Sequence, residues 1–276
     1  WHVNNEYGCH NPLCFCDQSE IAWRSWLKLR YSNLDELNRA WGTNFWSQKY
    51  HDWEEINVPA ETPAGTYPNP SMFLDFRRFS HYQILDLYRA EKDQIRKFDS
   101  STPITTNFMS MKHSGNLNYW DWANEVDFVA TDHYLNAEDP KNYIDLAFQA
   151  DLTRGFAQGK PWLLMEHSTS AVNWQQRNIA KSHGEMIANS MSHIARGSNG
   201  AMFFQWRQSI SGSEKFHSAM FPHAGRKSRI WRSVVELGKQ IHDLGNLSKT
   251  QTQRAQVAMI FDYESWWALS QMNLPS

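Results

Sequence analysis

The chain has 276 residues, with 27 basic against 29 acidic side chains and a formal net charge of −2. This balance argues against a nucleic-acid or anionic-membrane partner, because both need a concentrated positive surface, and no apolar run approaches the roughly 18–20 residues of a membrane-spanning helix. The 14 Trp, 15 Phe and 10 Tyr are more rings than the core of so polar a chain can hold. We expect some of them to line a site for a ligand with flat apolar faces and polar edges, such as a sugar.

Short strand-like runs alternate with longer helical runs along the chain, a pattern typical of βα units and a parallel sheet. A helix of about 12 residues is expected after the capping-box-like stretch at residues 17–20, followed by a long functional loop that is aromatic over 45–53 and then rich in proline. The predicted strands are 1–4, 104–108, 126–131, 162–165 and 201–205, and the further predicted helices are 34–41, 71–99, 143–158, 177–196 and 230–244.

Five parallel strands fit either an open doubly wound sheet or a closed eight-stranded barrel whose first three units are missing. The Gly-rich phosphate turn expected after the first strand of the open sheet is absent. Residue 1 leads directly into a strand-like run, and residues 256–262 read as a strand that opens a new unit. We therefore expect part of a longer polypeptide, with a barrel domain over 1–250 and the beginning of a second domain over 251–276.

Two glutamates occupy equivalent places in the predicted sheet. Glu6 follows the first predicted strand, and Glu166 ends the apolar run at 162–165. The carboxyl ends of parallel barrel strands form one catalytic face, so both side chains are expected in one cleft. A facing pair of carboxyl groups can hydrolyse a glycoside, one as proton donor and the other as nucleophile. Either glutamate alone is also compatible with a solvent-facing loop position or a surface ion pair.

If the first predicted strand is the fourth of a barrel, Glu6 and Glu166 lie on strands four and seven. This arrangement resembles the clan of retaining barrel glycosidases whose acid/base follows an Asn on strand four and whose nucleophile ends strand seven. Within that clan, the segments WHVNNEYG (1–8), LMEHSTSAVNW (164–174) and EKFHSAM (214–220) resemble the β-galactosidases of glycoside hydrolase family 42. The resemblance runs through nearly the whole chain, including Phe45-Trp46-Ser47 and residues 200–206.

The resemblance implies retaining hydrolysis of terminal β-D-galactosides, with Glu6 as acid/base and Glu166 as nucleophile, and no organic cofactor. It places the galactose-contacting residues on Asn5, Trp46, Trp174, Phe204, Glu214 and His217. Their chemistry suits that role, because an amide can bind the sugar 2-hydroxyl, indole faces can cover the ring, and buried polar groups can reject the wrong epimer. Packing between barrel and helices is the alternative role for the two tryptophans.

Four further residues lie near predicted strand ends: His113, Asp132, His133 and Tyr134. Of these, Tyr134 follows the sixth strand and can hold the nucleophile carboxylate in position. A packing role behind the site is an equal alternative for it.

Three cysteines, Cys9, Cys14 and Cys16, fall in one loop. Many members of the resembled family hold a structural zinc with four cysteines, and Cys14 and Cys16 match two of those positions, whereas Ser19 occupies the last. Because Ser is a poor zinc ligand, Cys9 would have to substitute, and three reduced thiols without metal are the alternative. An odd cysteine count without a signal peptide favours a reducing cytoplasm over a disulfide framework.

The resemblance also implies a homotrimer for the full-length protein. Two other functions remain open at this point: another retaining β-glycosidase of the same clan, such as a β-glucosidase or β-mannanase, and a non-catalytic galactoside-binding fragment. Neither the aglycone nor the linkage preference follows from the residues.

Overall fold

The computed structural model of the protein describes residues 1–59, 69–110, 115–246, 249–253 and 255–270. Helices run through both of the compact units into which the chain folds. In this described part they are α1 (Asp17–Tyr31), α2 (Leu34–Trp41), α3 (Pro70–Arg96), α4 (Tyr119–Ala123), α5 (Asn142–Phe156), α6 (Glu185–Ala195), α7 (Arg229–Asp243) and α8 (Tyr263–Leu269). Across the same residues, no helix is both long enough and apolar enough to cross a bilayer.

The first unit draws its described residues from Trp1–Tyr7, Gln94–Ser114 and Tyr119–Ala258 and is built on a parallel sheet. Its strands, which pair in sequence order, are β1 (Asn107–Phe108), β2 (Ala130–Asp132), β3 (Trp162–Glu166) and β4 (Ser198–Ala201). The α/β class with a parallel sheet is therefore confirmed. Aromatic rings fill the space behind β1, where Phe108 stacks on Tyr119 with 4.8 Å between ring centroids.

The opening segment extends this sheet beside β1. His2 forms a parallel bridge with Thr105, and the Thr105 amide donates to the Trp1 carbonyl at 2.8 Å while the Val3 amide donates to the Thr105 carbonyl at 3.1 Å. The predicted strand at 1–4 is thus observed as a single bridge. Its place in the sheet brings the residues that follow it to the carboxyl ends of the other strands.

The second unit draws its described residues from Gly8–Asp93, Gly115–Asn118 and Met259–Ser276. Helices α1, α2 and the first two-thirds of α3 bury an aromatic-rich core, with these members: Trp23, Leu27, Leu37, Trp41, Ile56, Val58, Phe76 and Phe79. Asn33 caps α2 by accepting from the Glu36 amide at 2.9 Å, and Gly42 ends it in the left-handed conformation, φ 65°, which a residue without a Cβ adopts readily.

Several predicted boundaries need correction. The capping box at residues 17–20 does not form: Cys16 is the N-cap of α1 without a side-chain cap bond, and the Glu20 carboxylate binds Arg24 instead, at 2.8 Å. The helix predicted over 177–196 begins only at Glu185, after Gly184 with φ 82°. The strand predicted over 201–205 is observed earlier, as β4, and just beyond β4 the Met202 amide still donates to the Leu164 carbonyl of β3 at 2.9 Å.

The strand predicted at 256–262 is wrong for this chain. Residues 255–262 form neither helix nor strand, and most of their apolar side chains are exposed, Ile260 at 97%, whereas Phe261 is partly buried. A strand needs a neighbour for its N–H and C=O groups, and no described segment pairs with this one. Two short helices, α4 and α8, were not predicted from periodicity. The sequence does contain an N-cap signal for α8, since Asp262 is a preferred N-cap residue. In the structure its side chain accepts from the Ser265 amide at 2.6 Å.

Candidate active site

Four polar side chains of the first unit converge at the carboxyl ends of its parallel strands. Asn107 comes from β1, Asp132 from the end of β2, Glu166 from the end of β3, and Glu6 from the segment after the opening bridge. Asp132 and Glu166 are direct partners in the β2–β3 register. Carboxyl oxygens of Glu6, Asp132 and Glu166 lie within 4.8 Å of one another. The strand ends therefore bring the two predicted glutamates together with a third carboxyl group.

Glu6 is held by its backbone. It has a positive φ of 47°, which is uncommon for a residue with a Cβ, and its amide donates to Asn107 Oδ1 at 2.9 Å. Asn5 Oδ1 in turn accepts from Asn107 Nδ2 at 2.8 Å. The Asn-Glu pair is thus fixed to β1 by one side chain, while the Glu6 carboxyl stays half-buried and accessible.

Glu166 is held on both carboxyl oxygens. The Tyr134 hydroxyl donates to its Oε2 at 2.8 Å, and Asn107 Nδ2 lies 3.4 Å from its Oε1. Burial raises the pKa of Glu166, the Tyr134 hydrogen bond lowers it, and the negative charge of Glu6 raises it. The net effect is a pKa of Glu166 above its ordinary value, for a carboxyl group that is poorly solvated but held by hydrogen bonds.

Asn107 links the whole cluster, and sequence reasoning did not single it out. This buried amide accepts on Oδ1 from the Glu6 amide and lies 2.8 Å from His2 Nε2. Its Nδ2 donates hydrogen bonds to side-chain oxygens of Asn5, Asp132 and Glu166. The available signal was its position, since a polar residue near the end of a buried predicted strand reads as part of the catalytic face.

A wall of aromatic and polar side chains adjoins Glu166. The Tyr134 ring lies edge-on to Trp174 at 5.2 Å and to His217 at 6.0 Å, and Phe204 lies 5.0 Å from His217. The structure therefore groups four of the predicted substrate-binding residues. Trp174 is half-exposed, as a ring that offers a face to a ligand must be.

His217 and Glu214 share a loop that is tied to the segment after β3. The Asn173 amide side chain donates to the Ser213 carbonyl at 2.7 Å, and the Ser218 amide donates to the Ala171 carbonyl at 3.0 Å. His217 is fully buried, its Nδ1 lies 2.8 Å from the Ser218 carbonyl, and its Nε2 has no hydrogen-bond partner among the described residues. A buried ring nitrogen left without a partner is suited to a ligand hydroxyl.

Three further candidates remain: Trp46, His113 and His133. Trp46 belongs to the second unit, where it is exposed, has φ 55° and packs on Phe45 at 4.9 Å. His113 lies outside the described residues. His133 is fully buried and its Nδ1 contacts His193 Nε2 at 2.8 Å, so it faces away from solvent.

A buried histidine–lysine cluster supports the segment that follows Glu166. Lys181 Nζ donates to the Ser168 carbonyl and lies 3.4 Å from His167 Nε2, and His167 Nδ1 lies 3.3 Å from the His133 carbonyl. Burial lowers the pKa of Lys181 to about 7 and that of His193 to about 3. At neutral pH His193 is therefore uncharged, whereas Lys181 is close to half protonated.

The cysteines of the second unit do not form a tetrahedral set. Cys14 Sγ lies 3.4 Å from Cys16 Sγ, which lies 3.5 Å from Ser19 Oγ. Within the described part of the chain, no cluster of three potential metal ligands includes Cys14 or Cys16. Two thiols beside a hydroxyl, with Cys9 apart from them, do not fit a four-sulfur zinc site.

Comparison with known proteins identifies the family of the chain. A family model described as β-galactosidase, that of glycoside hydrolase family 42, matches residues 1–244. A β-galactosidase from an Arthrobacter species is 49% identical over all of this chain and 39% of its own length, and the β-galactosidase BgaB of Geobacillus kaustophilus is 46% identical over all of this chain and 40% of its own length.

A solved structure also has a similar fold. The cold-adapted β-galactosidase from Rahnella sp. R3 superposes with a TM-score of 0.91 at 36% identity, over all of this chain and 40% of its own. The chain thus spans about 40% of the length of the relatives it matches. The resemblance read from the three sequence segments is confirmed, and the chain belongs to glycoside hydrolase family 42.

Proposed function

We propose that the protein containing this chain hydrolyses terminal β-D-galactosides with retention of configuration, using Glu166 as nucleophile and Glu6 as acid/base. The observation that carries the proposal is the meeting of these two carboxyl groups, with oxygens within 4.8 Å, at the carboxyl ends of parallel strands. Inverting enzymes separate the pair by roughly 6.5–9.5 Å to admit a water molecule, whereas retaining enzymes hold it at about 5–5.5 Å.

The reaction follows from the environments of the two groups. Glu166, held by Tyr134 and Asn107, attacks the anomeric carbon while the bond to the leaving oxygen breaks. Glu6 gives its proton to that oxygen and then, as a carboxylate, takes a proton from the water that attacks the galactosyl–Glu166 ester. Asn5, fixed by Asn107 at 2.8 Å, is positioned to bind the sugar 2-hydroxyl.

The aromatic and polar side chains beside Glu166 are proposed to select galactose. The exposed face of Trp174 offers apolar contact to the sugar ring, and Phe204 and the His217 Nε2 nitrogen adjoin it. Glu214 lies close enough to Glu166 for its negative charge to raise the pKa of that residue. A site that pairs buried polar groups with particular hydroxyls rejects epimers strongly, because the wrong sugar leaves those groups unpaired. Trp46 is retained as a galactose contact on the family resemblance.

The architecture proposed for these residues is strands four to eight of a (β/α)8 barrel, with the opening bridge and β1–β4 in that order. Full-length relatives that are named β-galactosidases support the assignment. We also propose a homotrimer for the full-length protein, from the family resemblance, and a reducing cytoplasm, from three cysteines that form no disulfide with one another. No organic cofactor enters the mechanism, and zinc at the cysteine loop is disfavoured by Ser19.

The test uses the full-length polypeptide that carries this chain and a panel of nitrophenyl β-glycosides. The galactoside is expected to be the preferred substrate by kcat/KM, and preference for the glucoside or mannoside would assign another β-glycosidase of the clan. Glu166→Gly should abolish turnover, with partial return when azide replaces the lost nucleophile. Glu138→Gly, in an exposed turn, is the matched control and should retain activity. Galactose binding by calorimetry without any hydrolysis would identify a binding protein instead.

A further inference from the structure

Asp132 is the third carboxyl group of the cluster, and the proposed mechanism gives it no role. It ends β2, is fully buried, and its Oδ2 accepts from Asn107 Nδ2. Its Oδ1 has no donor partner among the described residues. The side chain of Glu6 lies close enough to Asp132 for a hydrogen bond between the two carboxyl groups. Such a bond exists only when one of the two carries a proton.

The electrostatic environment of the carboxyl groups determines which of them carries the proton. Three carboxylates whose oxygens lie within 4.8 Å cannot all be ionised, because the like charges repel and burial removes the water that would screen them. Asp132 is the most buried of the three, with Glu6 and Glu166 both accessible to some extent. Burial first, then the charges of Glu166 and Glu6, raise the pKa of Asp132 well above its ordinary value.

We propose that Asp132 is a positioning residue that stays protonated on Oδ1 at neutral pH and donates a hydrogen bond to the carboxyl group of Glu6. This inference rests on the proposed function of Glu6 as acid/base. The charged and titratable groups that face the cluster are Glu6 and His2 from the opening segment, Tyr134 after β2, Glu166 from β3 and Glu214 from the following loop. Within the part of the chain that the structure describes, none of these is a fixed cation such as arginine.

The hydrogen bond strengthens as the reaction proceeds. In the first step Glu6 gives its proton to the leaving oxygen and becomes a carboxylate, while Asp132 keeps its own proton and donates to the new negative charge. In the second step Glu6 recovers a proton from the attacking water, and the ester to Glu166 breaks. Asp132 ends each cycle with the proton with which it began. It therefore stabilises the charge that forms on Glu6 without taking part in proton transfer.

Two substitutions of Asp132 separate this role from its alternatives. Asp132→Asn keeps an acceptor for Asn107 and places an amide donor where the proposed proton lies. The value of kcat/KM should therefore stay within about threefold of the wild type. The basic limb of the pH profile, which is the fall of kcat/KM at high pH, should not move. Asp132→Ala removes the donor to Glu6, so kcat/KM should fall about 10- to 100-fold. Its basic limb should move to higher pH, because the donor that stabilises the carboxylate formed on Glu6 is lost.

An ionised Asp132 would produce the opposite shift. It would repel the negative charge that forms on Glu6, so both substitutions would move the basic limb to lower pH, and that result overturns the inference. Equal activity losses in both variants with unmoved limbs would indicate a structural role only and overturn it as well. Asp139→Asn and Asp139→Ala, at an exposed aspartate, are the controls and should match the wild type.

A measurement without turnover keeps this test separate from that of the proposed function. Infrared spectra of the wild-type protein at neutral pH should contain a carboxylic acid band that disappears in Asp132→Asn. Wild-type protein that keeps this band yet hydrolyses no β-galactoside would contradict the proposed function while leaving the proton on Asp132. An active wild-type protein whose spectrum is unchanged by Asp132→Asn would contradict the inference alone.

Discussion

The Tyr134 hydroxyl donates to Glu166 Oε2 at 2.8 Å, although 32 positions separate the two residues in the sequence. Consecutive parallel strands account for the contact, since β2 and β3 pair in register and both residues come at their carboxyl ends. The bond fixes the orientation of one carboxyl oxygen, and the other oxygen accepts from Asn107 Nδ2. A nucleophile held in this way needs little reorganisation at the moment of attack.

Replacement of Tyr134 by Phe tests that bond. Tyr134→Phe should lower kcat about 10- to 100-fold, the effect of losing a hydrogen bond to a charged group. Because the bond lowers the pKa of Glu166, its loss should raise that pKa and move the acid limb of the kcat/KM profile to higher pH. Tyr143→Phe, at an exposed tyrosine of α5, is the control. An acid limb that stays in place in Tyr134→Phe would show that the hydroxyl does not support the ionised nucleophile.

The amide of Asn107 is the second test, through Asn107→Asp. This change replaces the donor to Asp132 and Glu166 by a fourth carboxyl group, so kcat/KM at neutral pH should fall at least about 100-fold. Stability should fall by about 1–3 kcal/mol at neutral pH. The new carboxyl has a raised pKa in the folded state, so the folded protein binds the extra proton first and part of the lost stability returns as the pH falls.

Urea unfolding at pH 7 and pH 5 measures that return. The control is Asn124→Asp, at an exposed amide that donates to the Trp120 carbonyl. If Asn107→Asp were destabilised equally at both pH values, the crowding of carboxyl groups around Asn107 would be excluded as the cause.

Lys181 gives a prediction about stability and pH. Burial lowers its pKa to about 7 from 10.5, so between these values the unfolded chain binds a proton that the folded chain does not. Stability contributed by this residue therefore rises with pH above about 7. From pH 7 to pH 9 the wild type should gain roughly 2 kcal/mol relative to Lys181→Met. Denaturant unfolding at the two pH values checks this, with the exposed Lys160→Met as control; parallel changes in wild type and Lys181→Met would refute it.

Helix α3 offers a matched pair of acidic residues in the second unit. Asp75 is buried and binds Arg78 at 2.8 Å and the Trp41 indole at 2.9 Å, whereas Asp86 is exposed and binds Arg89 at 2.8 Å with the same i,i+3 spacing. Asp75→Ala leaves buried partners unpaired and should cost about 3–5 kcal/mol of unfolding free energy. Asp86→Ala should cost less than about 1 kcal/mol. Similar losses for both, measured by urea unfolding, would contradict burial as the source of the difference.

Much of the site could be predicted from the sequence, because its residues lie at the carboxyl ends of predicted strands. Glu6 follows a strand-like segment and Glu166 an apolar run, and the carboxyl ends of parallel strands lie at one face whatever their separation in sequence. Trp174, Phe204 and His217 came instead from the family resemblance, since neither spacing nor composition distinguishes a ring that binds sugar from one that packs. Asn107 was missed because an amide inside a buried run gives no periodic signal.

The sequence by itself determined the alternation of strands and helices, the two glutamates and the family, because each rests on local pattern. Only the tertiary structure decided that Asn107 ties Asn5 and Glu6 to β1, that Asp132 is buried as a third carboxyl group, and that residues 256–262 form no strand. These outcomes depend on which segments become neighbours and on how much water remains between them. Hydrogen-bond partners, pKa shifts and strand pairing are all set by that proximity.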